Sequence, residues 1–559
     1  MRYKTLLAVL FLLLITFCSR IYGFNWDAGF HLHPDERAII LYTLPLHFPQ
    51  SLSSFLSISS PLNPHFFAYG SLPMYLLSFF SYTSGKIVPF LATYDGMQFV
   101  GRSISLFAEM GIVVLLFFIG KLLFHPKTGF LAACFYILST LPLQLAHFYA
   151  VDTLLTFFIL LALTFLLAYS YTSRIYFLFG VSIATGLALA TKVSASMLLA
   201  PIFLTFLLQE KSFFHHIKNL TFSRIITTIG NILGKILLIV VISALTFIIC
   251  EPYALIDFPS FWSQTNQQSQ MTKDAFTFPY TLQYVTITPY LYEISQLFFW
   301  GQGFILATIC LAGTLFVTCF FWTMPQRKEL GILLSFFWIY FLVVGGFAVA
   351  FMRYMLPLYP LLCLLGAALT IYACQKFTKG ATALMLSMIL VLISIWPASF
   401  LRIYASAPTR VQATDWILQH IPPGKTLAVE HWDDQIPLSQ AALYPTEILE
   451  LYNPDTPEKW EKIHSQLART DYLILASNRL YTPLQKLTDC QKLKPHPCYK
   501  QTTSYYQDLF AGRLGFKKVA EFTAFPTIPF LNIIINDQGA DESFTVYDHP
   551  VVIIFQKQD

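Results

Sequence analysis

The sequence contains little charge for its length. Only 12% of its 559 residues are Asp, Glu, Lys or Arg, whereas soluble domains usually carry roughly 25%. Hydrophobic residues make up 56%, and the mean hydropathy is +0.59. This scarcity of charge excludes an ordinary soluble protein and predicts a polytopic α-helical membrane protein. The formal charge of +5 is explained by membrane topology, so no nucleic-acid partner is inferred.

Few cysteines lie in polar sequence. Of the nine cysteines, seven lie in apolar segments, where a buried, inert thiol is the expected state. Only Cys490 and Cys498, in "DCQKLKPHPC", fall in polar sequence. If this region faces an oxidising compartment, the pair can close a short disulfide loop; otherwise both are free thiols.

Apolar runs long enough to span a bilayer occur along the first 400 residues. A spanning helix needs roughly 20 apolar residues. The first run has no small-x-small cleavage site after it, so it is predicted to be a retained helix rather than a removed signal peptide. The eleven predicted spans lie near residues 4–22, 102–124, 129–146, 153–171, 175–190, 193–209, 234–251, 297–322, 330–350, 354–374 and 381–400.

The distribution of Lys and Arg predicts the orientation of these spans, because basic residues concentrate in cytoplasmic loops. With the N-terminus inside, the short outer connections hold only Lys192 and Arg353. The basic residues at cytoplasmic ends are then Arg2, Lys4, Lys121, Lys127, Arg174, Lys211, Lys218, Arg224, Lys235, Arg327, Lys328, Lys376 and Lys379. The bias favours eleven spans with the C-terminus outside, in what is expected to be a bacterial plasma membrane.

Three polar regions are predicted to lie on the outer side. The first loop, residues 23–100, includes an apolar stretch at 66–81 that is placed at the membrane interface, because a further span there would destroy the charge bias. The second loop covers residues 252–296. Residues 1–402 thus form the membrane domain, and residues 403–559, where two helix-then-strand patterns follow each other, form a C-terminal α/β domain.

Ionisable residues gather at the predicted outer face although the sequence separates them widely. Each has an ordinary explanation: Asp35 and Glu36 in "HPDERAII" suit the first turn of a helix, and Asp152 can cap another. Lys192 and Arg353 can extend toward the interface as many membrane lysines and arginines do. Their shared depth favours a joint role, because charges near hydrocarbon are costly.

The two signs of charge have complementary chemistry. A carboxylate can act as a general base toward an acceptor hydroxyl, and cations at the same depth can bind a phosphate leaving group. A polyprenyl phosphate places its tail in the bilayer and its head at this surface, where Lys and Arg at helix ends would meet it. This pattern predicts transfer from a lipid-phosphate donor.

Several motifs resemble one family in order and spacing. "HPDERAI" is similar to the Asp-Glu motif of GT-C membrane glycosyltransferases, in the protein O-mannosyltransferase and aminoarabinose-transferase-like group. "NPHFFAYGSLPMYLL", "HFYAVDTLLTFF", "ATKVSASMLLAP", "FMRYMLPLYPLL" and the tail "ESFTVYDHPVVIIFQK" follow in that group's order. The resemblance covers essentially the whole chain. It implies the GT-C fold and a polyprenyl-phosphate-sugar donor.

The resemblance also implies roles for the carboxylates. Asp35 corresponds to the catalytic base, and Glu36 beside it helps to fix the site. Asp152 corresponds to the acid of the second outer loop, which orients the acceptor or supports the site. The implied reaction is a direct displacement at the anomeric carbon that inverts its configuration, and a phosphate leaving group removes the need for the second acid that glycosidases use.

The resemblance places a second set of residues at the donor phosphate. Relatives often carry a lysine in a "KPP"-like motif of the first loop, whereas this sequence reads "NPHFF". A protonated His65 would therefore have to take the place of that lysine as the phosphate contact. For Tyr354, which belongs to this set, an ordinary position at the membrane interface is the alternative. The predicted phosphate contacts are Arg37, His65, Lys192, Arg353 and Tyr354.

Two alternatives remain open. His31, His33, Asp35, His65 and His147 all fall on the predicted outer side and could bind a divalent cation, although no recognised ligand spacing appears and no metal cofactor is required by the proposed chemistry. A polytopic lipid or solute transporter would instead need midplane polar sites and a repeat between halves. The sugar, hexosyl or pentosyl, and the acceptor, protein, lipid or envelope glycan, stay undetermined.

Overall fold

The structure, a computed structural model, describes residues 2–209 and 222–558. Its first 400 residues are almost entirely helical. Lys211 and Lys218, which contribute to the charge bias, lie outside the described residues. The long helices of the membrane domain are α1 (Arg2–Ile21), α5 (Tyr94–Leu123), α6 (Pro126–Ile137), α8 (Val151–Thr172), α9 (Tyr176–Leu189), α10 (Leu199–Gln209), α11 (Phe222–Cys250), α15 (Phe304–Phe320), α16 (Arg327–Val344), α17 (Tyr359–Cys374) and α18 (Lys379–Leu401).

Each predicted span contains a helix, and seven helices of the described chain are long and apolar enough to cross a membrane. The number of eleven spans therefore stays a prediction. The segment predicted at 129–146 is divided into α6 and the short α7 (Thr140–Leu145). Pro142, in the first turn of α7, has no backbone N–H to donate to the Leu138 carbonyl and its ring would clash with that carbonyl, so α6 ends before this point. Lys192 has an extended backbone and separates α9 from α10, as predicted.

The two loops fold against one end of the helical bundle. The first loop contains α2 (Pro34–Thr43), α3 (Leu52–Phe55) and α4 (Leu72–Gly85), with a 3₁₀ turn at Pro89–Ala92. The stretch predicted to lie at the interface is thus partly helical, and α4 packs against α2 and α5. The second loop contains α12 (Tyr253–Ile256), α13 (Phe258–Met271), a 3₁₀ turn at Pro279–Tyr284 and α14 (Leu291–Gln296).

Buried charge inside the bundle is paired. Arg20, near the end of α1, is fully buried, and its Nη2 lies 3.6 Å from Glu109 Oε2. Its Nη1 also donates to the carbonyl of Ile137, at 2.9 Å. Tyr136 donates to the other oxygen of Glu109, at 2.8 Å. These contacts join α1, α5 and α6, and they give Glu109 a structural partner rather than a chemical role.

The C-terminal domain contains one five-stranded sheet with the order β2-β1-β3-β5-β4. The first three strands are parallel, while β5 runs antiparallel to both β3 and β4. The two predicted helix-then-strand units are present. The elements are α19 (Thr409–His420), β1 (Leu427–Glu430), β2 (Thr446–Leu449), α20 (Pro457–Arg469), β3 (Tyr472–Leu475), α21 (Tyr481–Leu484), α22 (Lys500–Phe510), β4 (Phe516–Phe522), α23 (Glu542–Thr545) and β5 (Val552–Lys557).

Parallel strands are covered on both faces, as their apolar sequences require. Leu473 and Leu475 of β3 face the core that includes Trp460 of α20, whereas Ile474 faces the core beside Ile417 of α19. Cys490 and Cys498 form a disulfide in the connection that precedes α22. Of the two alternatives for this pair, the structure therefore has the disulfide and not the free thiols.

Candidate active site

A cavity of about 1000 Å³ lies where the two loops, the helix ends and the C-terminal domain meet. Six of the eight predicted site residues line it, from four separate stretches of the chain. The two others, Glu36 and Asp152, lie behind the wall and are buried. The six lining residues are Asp35, Arg37, His65, Lys192, Arg353 and Tyr354.

Asp35 is placed by the start of α2. Pro34 occupies the first helical turn, where its missing N–H costs nothing, and His33 caps the helix by accepting from the Glu36 N–H at 3.3 Å. The predicted helix start is therefore confirmed. The same turn directs the carboxylate of Asp35 into the cavity, where it contacts the guanidinium of Arg353.

A series of contacts between residues of alternating charge begins at the cavity wall and reaches Asp152 behind it. Arg353 contacts Asp35, and its Nε also lies 3.7 Å from Asp152 Oδ2. Lys192 donates to Asp152 Oδ1 at 2.8 Å. Asp152, whose side chain is 2% exposed, is therefore held between the two cations. Residues separated by 318 positions, Asp35 and Arg353, are thus brought into direct contact.

The environment keeps Asp35 ionised at neutral pH. Burial by itself would raise the pKa of this carboxyl. The neighbouring guanidinium of Arg353 and a hydrogen bond from the Tyr69 hydroxyl outweigh burial, so the pKa lies below its ordinary value. A group that shares or displaces Arg353 would therefore make the Asp35 carboxylate more basic.

Aromatic rings surround the two cations. Lys192 Nζ lies 4.2 Å from the centre of the Tyr354 ring, and the Arg353 guanidinium lies 5.0 Å from the Phe351 ring. Tyr340 donates to the Tyr354 carbonyl at 2.9 Å and fixes this turn. Such contacts hold a cation in place and, unlike an ion pair, bring no opposite charge to it.

Glu36 faces away from the cavity. Its two oxygens accept from Arg102 at 2.7 and 3.1 Å, and one of them also accepts from the Tyr149 N–H at 2.8 Å. Asp27 binds the same guanidinium at 2.7 Å. This fully buried cluster joins α2, the helix that also carries Asp35, to α5 and to the start of α8.

Arg37 and His65 occupy the cavity wall at some remove from that series of charged contacts. Arg37 pairs with Asp434 of the C-terminal domain at 3.2 Å. His65 Nδ1 lies 3.5 Å from Asp257 Oδ2, and Asn63 lies beside both. Both residues line the cavity, and neither is in the contacts that join Asp35, Arg353, Asp152 and Lys192 within the described chain.

Several residues that line the cavity are not among the residues predicted from the sequence. Tyr69 lies in "FFAYGS", whose apolar character predicts a position at the membrane interface. The stretch "EHWDD" follows β1, and the carboxyl end of a parallel strand is where ligand-facing residues often occur, so a signal was present. The additional polar and aromatic lining residues are Tyr69, Glu251, Tyr280, Arg410, Trp432, Asp433, Asp434, Arg479 and Tyr547.

The histidines considered as metal ligands are dispersed. His31 pairs with Asp95 at 3.2 Å, and His33 lies between the rings of Phe148 and Tyr547. Both ring nitrogens of His147 contact backbone carbonyls, at 2.8 and 2.9 Å. Across residues 2–209 and 222–558, no three His, Cys, Asp or Glu side chains form a metal-binding group. The ligand set of the metal alternative is therefore not assembled among these residues.

Known proteins give two independent likenesses. Residues 90–242 match the family model for dolichyl-phosphate-mannose-protein mannosyltransferases. The solved structure of the oligosaccharyltransferase AglB from Archaeoglobus fulgidus, in complex with an inhibitory peptide and a dolichol-phosphate, aligns over 100% of this chain and 88% of its own, with 12% identity and a TM-score of 0.50. The sequence has no significant match among curated proteins.

A second solved structure aligns with this protein over nearly the full length of both chains. ArnT from Cupriavidus metallidurans, bound to undecaprenyl phosphate, covers 98% of this chain and 97% of its own, with 10% identity and a TM-score of 0.43. Together with the family match, the AglB alignment confirms the resemblance to GT-C glycosyltransferases and the GT-C fold. The transporter alternative receives no support from these likenesses.

Proposed function

We propose that this GT-C chain is a membrane glycosyltransferase that moves a monosaccharide from a polyprenyl-phosphate carrier to an acceptor on the predicted outer face. The observation that carries the proposal is the contact series Asp35, Arg353, Asp152, Lys192 along one cavity. It offers a carboxylate and two cations at the same site. The family match and the printed ligands of the aligned proteins, dolichol-phosphate and undecaprenyl phosphate, support this donor class.

In the proposed reaction, an oxygen of the acceptor attacks the anomeric carbon of the sugar. The bond between that carbon and the phosphate oxygen breaks, and the electron pair leaves with the phosphate. The acceptor proton passes to the Asp35 carboxylate. Lys192 and Arg353 stabilise the charge on the departing phosphate, so one base and two cations suffice, and the anomeric configuration is inverted.

The contact between Asp35 and Arg353 links donor binding to the base. A phosphate that binds Arg353 takes part of the guanidinium charge that lowers the pKa of Asp35. The carboxylate then becomes more basic when the donor is in place. Asp152 keeps both cations at the site during this exchange, because it contacts each of them.

The remaining predicted residues take supporting roles in the proposal. Glu36 positions Asp35 through α2, and Tyr354 holds Lys192 against its ring. Arg37 and His65 contact the donor from the cavity wall. Two side-chain cations supply the charge that a metal would, so no metal cofactor is proposed, and treatment with a chelator is expected to leave the rate unchanged.

Transfer from a panel of polyprenyl-phosphate sugars, measured with purified protein in detergent, tests the proposal. Asp35→Asn should reduce transfer by at least about 100-fold while expression and thermal stability stay normal, as removal of a general base typically does. Asp95→Asn is the matched control, because this carboxylate lies in the same region but is 65% exposed. Full activity of Asp35→Asn would reject the assigned base.

A further inference from the structure

Glu251 is a buried carboxyl in the cavity wall that the proposed reaction does not use. It is the first residue after α11, which ends at Cys250, and it therefore lies just outside the apolar span. Its residue is 1% exposed, and it lines the cavity. Its Oε1 has no hydrogen-bond partner, and none of the described residues forms an ion pair with it.

The groups around Glu251 do not supply a charge. The backbone N–H of Ser71 offers one hydrogen bond. The hydroxyl of Tyr75 interacts with it, but that hydroxyl donates to the Leu62 carbonyl at 3.1 Å. A buried carboxyl without a cation is costly to ionise.

The protonation state follows from this environment. Burial, only partly offset by the Ser71 N–H, raises the pKa of Glu251 to about 8. The thiol of Cys250 and the hydroxyl of Tyr75 are the titratable neighbours, and Lys192 lines the same cavity. At neutral pH the Glu251 side chain is therefore a neutral group with an O–H to donate.

One short loop ties Glu251 to the series of charged contacts. Tyr69 donates to Asp35, the Gly70 N–H donates to the Thr191 carbonyl at 3.1 Å beside Lys192, and the Ser71 N–H faces Glu251. The consecutive residues Tyr69, Gly70 and Ser71 thus contact Asp35, the turn that carries Lys192, and Glu251, respectively. Glu251 therefore belongs to the same cavity wall as Asp35 and Lys192.

We propose that Glu251 is a sugar-recognition residue: its protonated carboxyl donates a hydrogen bond to a hydroxyl of the monosaccharide carried by the donor. This inference rests on the proposed function. The donor phosphate already has Lys192 and Arg353 as cationic partners. The neutral O–H group of Glu251, which is buried in the cavity wall, suits a neutral sugar hydroxyl instead. A buried polar group selects strongly, since a ligand that lacks the partner leaves that group unpaired.

Binding measurements separate the sugar contact from the phosphate contact. The full-length protein in detergent is titrated with polyprenyl phosphate and with the polyprenyl-phosphate sugar that wild type uses best. Glu251→Leu should weaken binding of the sugar-bearing donor by about 10- to 100-fold, the loss expected for one buried hydrogen bond. It should leave binding of polyprenyl phosphate unchanged. Arg353→Ala is the converse control, since it should weaken both ligands.

Glu251→Gln keeps the shape and one N–H donor, so it should bind the sugar-bearing donor nearly as well as wild type at pH 7. Wild type should lose affinity as the pH rises through about 8, because the carboxyl ionises and no longer donates. The Gln variant should not show this loss. This pH readout separates recognition from a structural role and applies even if the Leu variant folds poorly.

Three results would overturn the inference: sugar-donor binding by Glu251→Leu equal to wild type, equal weakening of both ligands, or the same pH profile in wild type and Glu251→Gln. Failure of the proposed function looks different. In that case wild type transfers no sugar from any donor of the panel. If no member of the panel binds more tightly than polyprenyl phosphate itself, the sugar contact at Glu251 is rejected as well.

Discussion

At the scale of residues, Asp35 and Asp152 differ in what holds them. Asp35 shares one guanidinium and faces the cavity with a side chain that is 19% exposed. Asp152 is 2% exposed and contacts both Lys192 and Arg353. Two carboxylates in one site can therefore have separate tasks, set by their environments. In the proposed reaction Asp35 accepts the proton, whereas Asp152 holds the cations.

Substitution of Asp152 should affect donor binding more than chemistry. Asp152→Asn removes the charge that holds two cations, so we expect the KM for the lipid donor to rise by about 10- to 100-fold, the loss of roughly 1.5–3 kcal/mol for a hydrogen bond to a charged group. The value of kcat should fall much less than in Asp35→Asn. Steady-state kinetics over a range of donor concentrations measures both parameters.

Lys192→Ala and Arg353→Ala provide the comparison for this result. Each removes one phosphate contact, so each should also require more donor for half-maximal rate. An Asp152→Asn protein with a normal KM and a collapsed kcat would instead place Asp152 in the chemical step. Unchanged dependence on donor concentration in both cation variants would remove Lys192 and Arg353 from the phosphate site.

At the scale of elements, the loop Tyr69-Gly70-Ser71 packs against the turn after α9 without space for a side chain. A Cβ added at Gly70 would lie 1.9 Å from the Ala190 carbonyl oxygen and 2.9 Å from the Thr191 nitrogen. Both neighbours are backbone atoms, which cannot move aside by a change of rotamer. The loop and the turn that carries Lys192 must therefore approach each other through glycine.

Gly70→Ala should therefore impair the site as a whole. The added methyl group would separate the loop from the turn, and Tyr69 and Lys192 would move relative to Asp35. We expect at least a tenfold loss of transfer, because small misplacements of positioning groups reduce rates strongly, together with a lower thermal midpoint. Gly234→Ala is the control, since a Cβ there meets nothing within 4 Å on an exposed face of α11. Equal activity of the two variants would contradict the close-packing argument.

The sequence predicts the elements of this protein better than it predicts their junctions. Apolar length is sufficient to locate helices such as α5 and α8, and the bias of basic residues is sufficient to bring Asp35 and Arg353 to the same face. The break before α7 also has a local cause, in Pro142. Patterns of this kind act within one segment, and so they can be read from the chain.

Contacts between distant segments leave no such pattern. The burial of Glu36 against Arg102 depends on how α2 packs on α5, and the turn at Trp432 reaches the cavity only because the C-terminal domain lies over it. The free carboxyl of Glu251 is likewise defined by what its neighbours bond elsewhere. These features depend on tertiary packing, so periodicity and composition cannot reveal them.

At the scale of the whole molecule, a polar cluster fixes the C-terminal domain to the membrane domain. Gln144 of α7 donates to the Phe544 carbonyl at 2.7 Å and to Asp548 Oδ2 at 3.0 Å. Tyr404 donates to the same oxygen of Asp548 at 2.8 Å. None of these three contacts involves Asp433 or Asp434, the carboxylates of the C-terminal domain that line the cavity.

His549 is the cation of that cluster. It lies between Asp548 and Asp537, with its nitrogens 2.5 and 2.8 Å from their oxygens. Burial by itself would lower its pKa, but the two carboxylates outweigh burial and raise the pKa to about 10. The folded protein thus holds a proton on His549 that the unfolded chain releases near pH 6.5. Its contribution to stability is complete below about 6.5 and is lost as the pH rises to about 10.

Thermal unfolding of the full-length protein in detergent should show this dependence, with a midpoint that falls between about pH 7 and pH 10 in wild type. His549→Leu leaves two buried carboxylates without their cation, so we expect a loss on the order of 3–5 kcal/mol and a weaker dependence on pH in that range. His464→Leu, on the exposed face of α20, should leave the midpoint unchanged. A wild-type midpoint that rises with pH in this window would contradict the assigned charge, because a group with a raised pKa can only lose stability there.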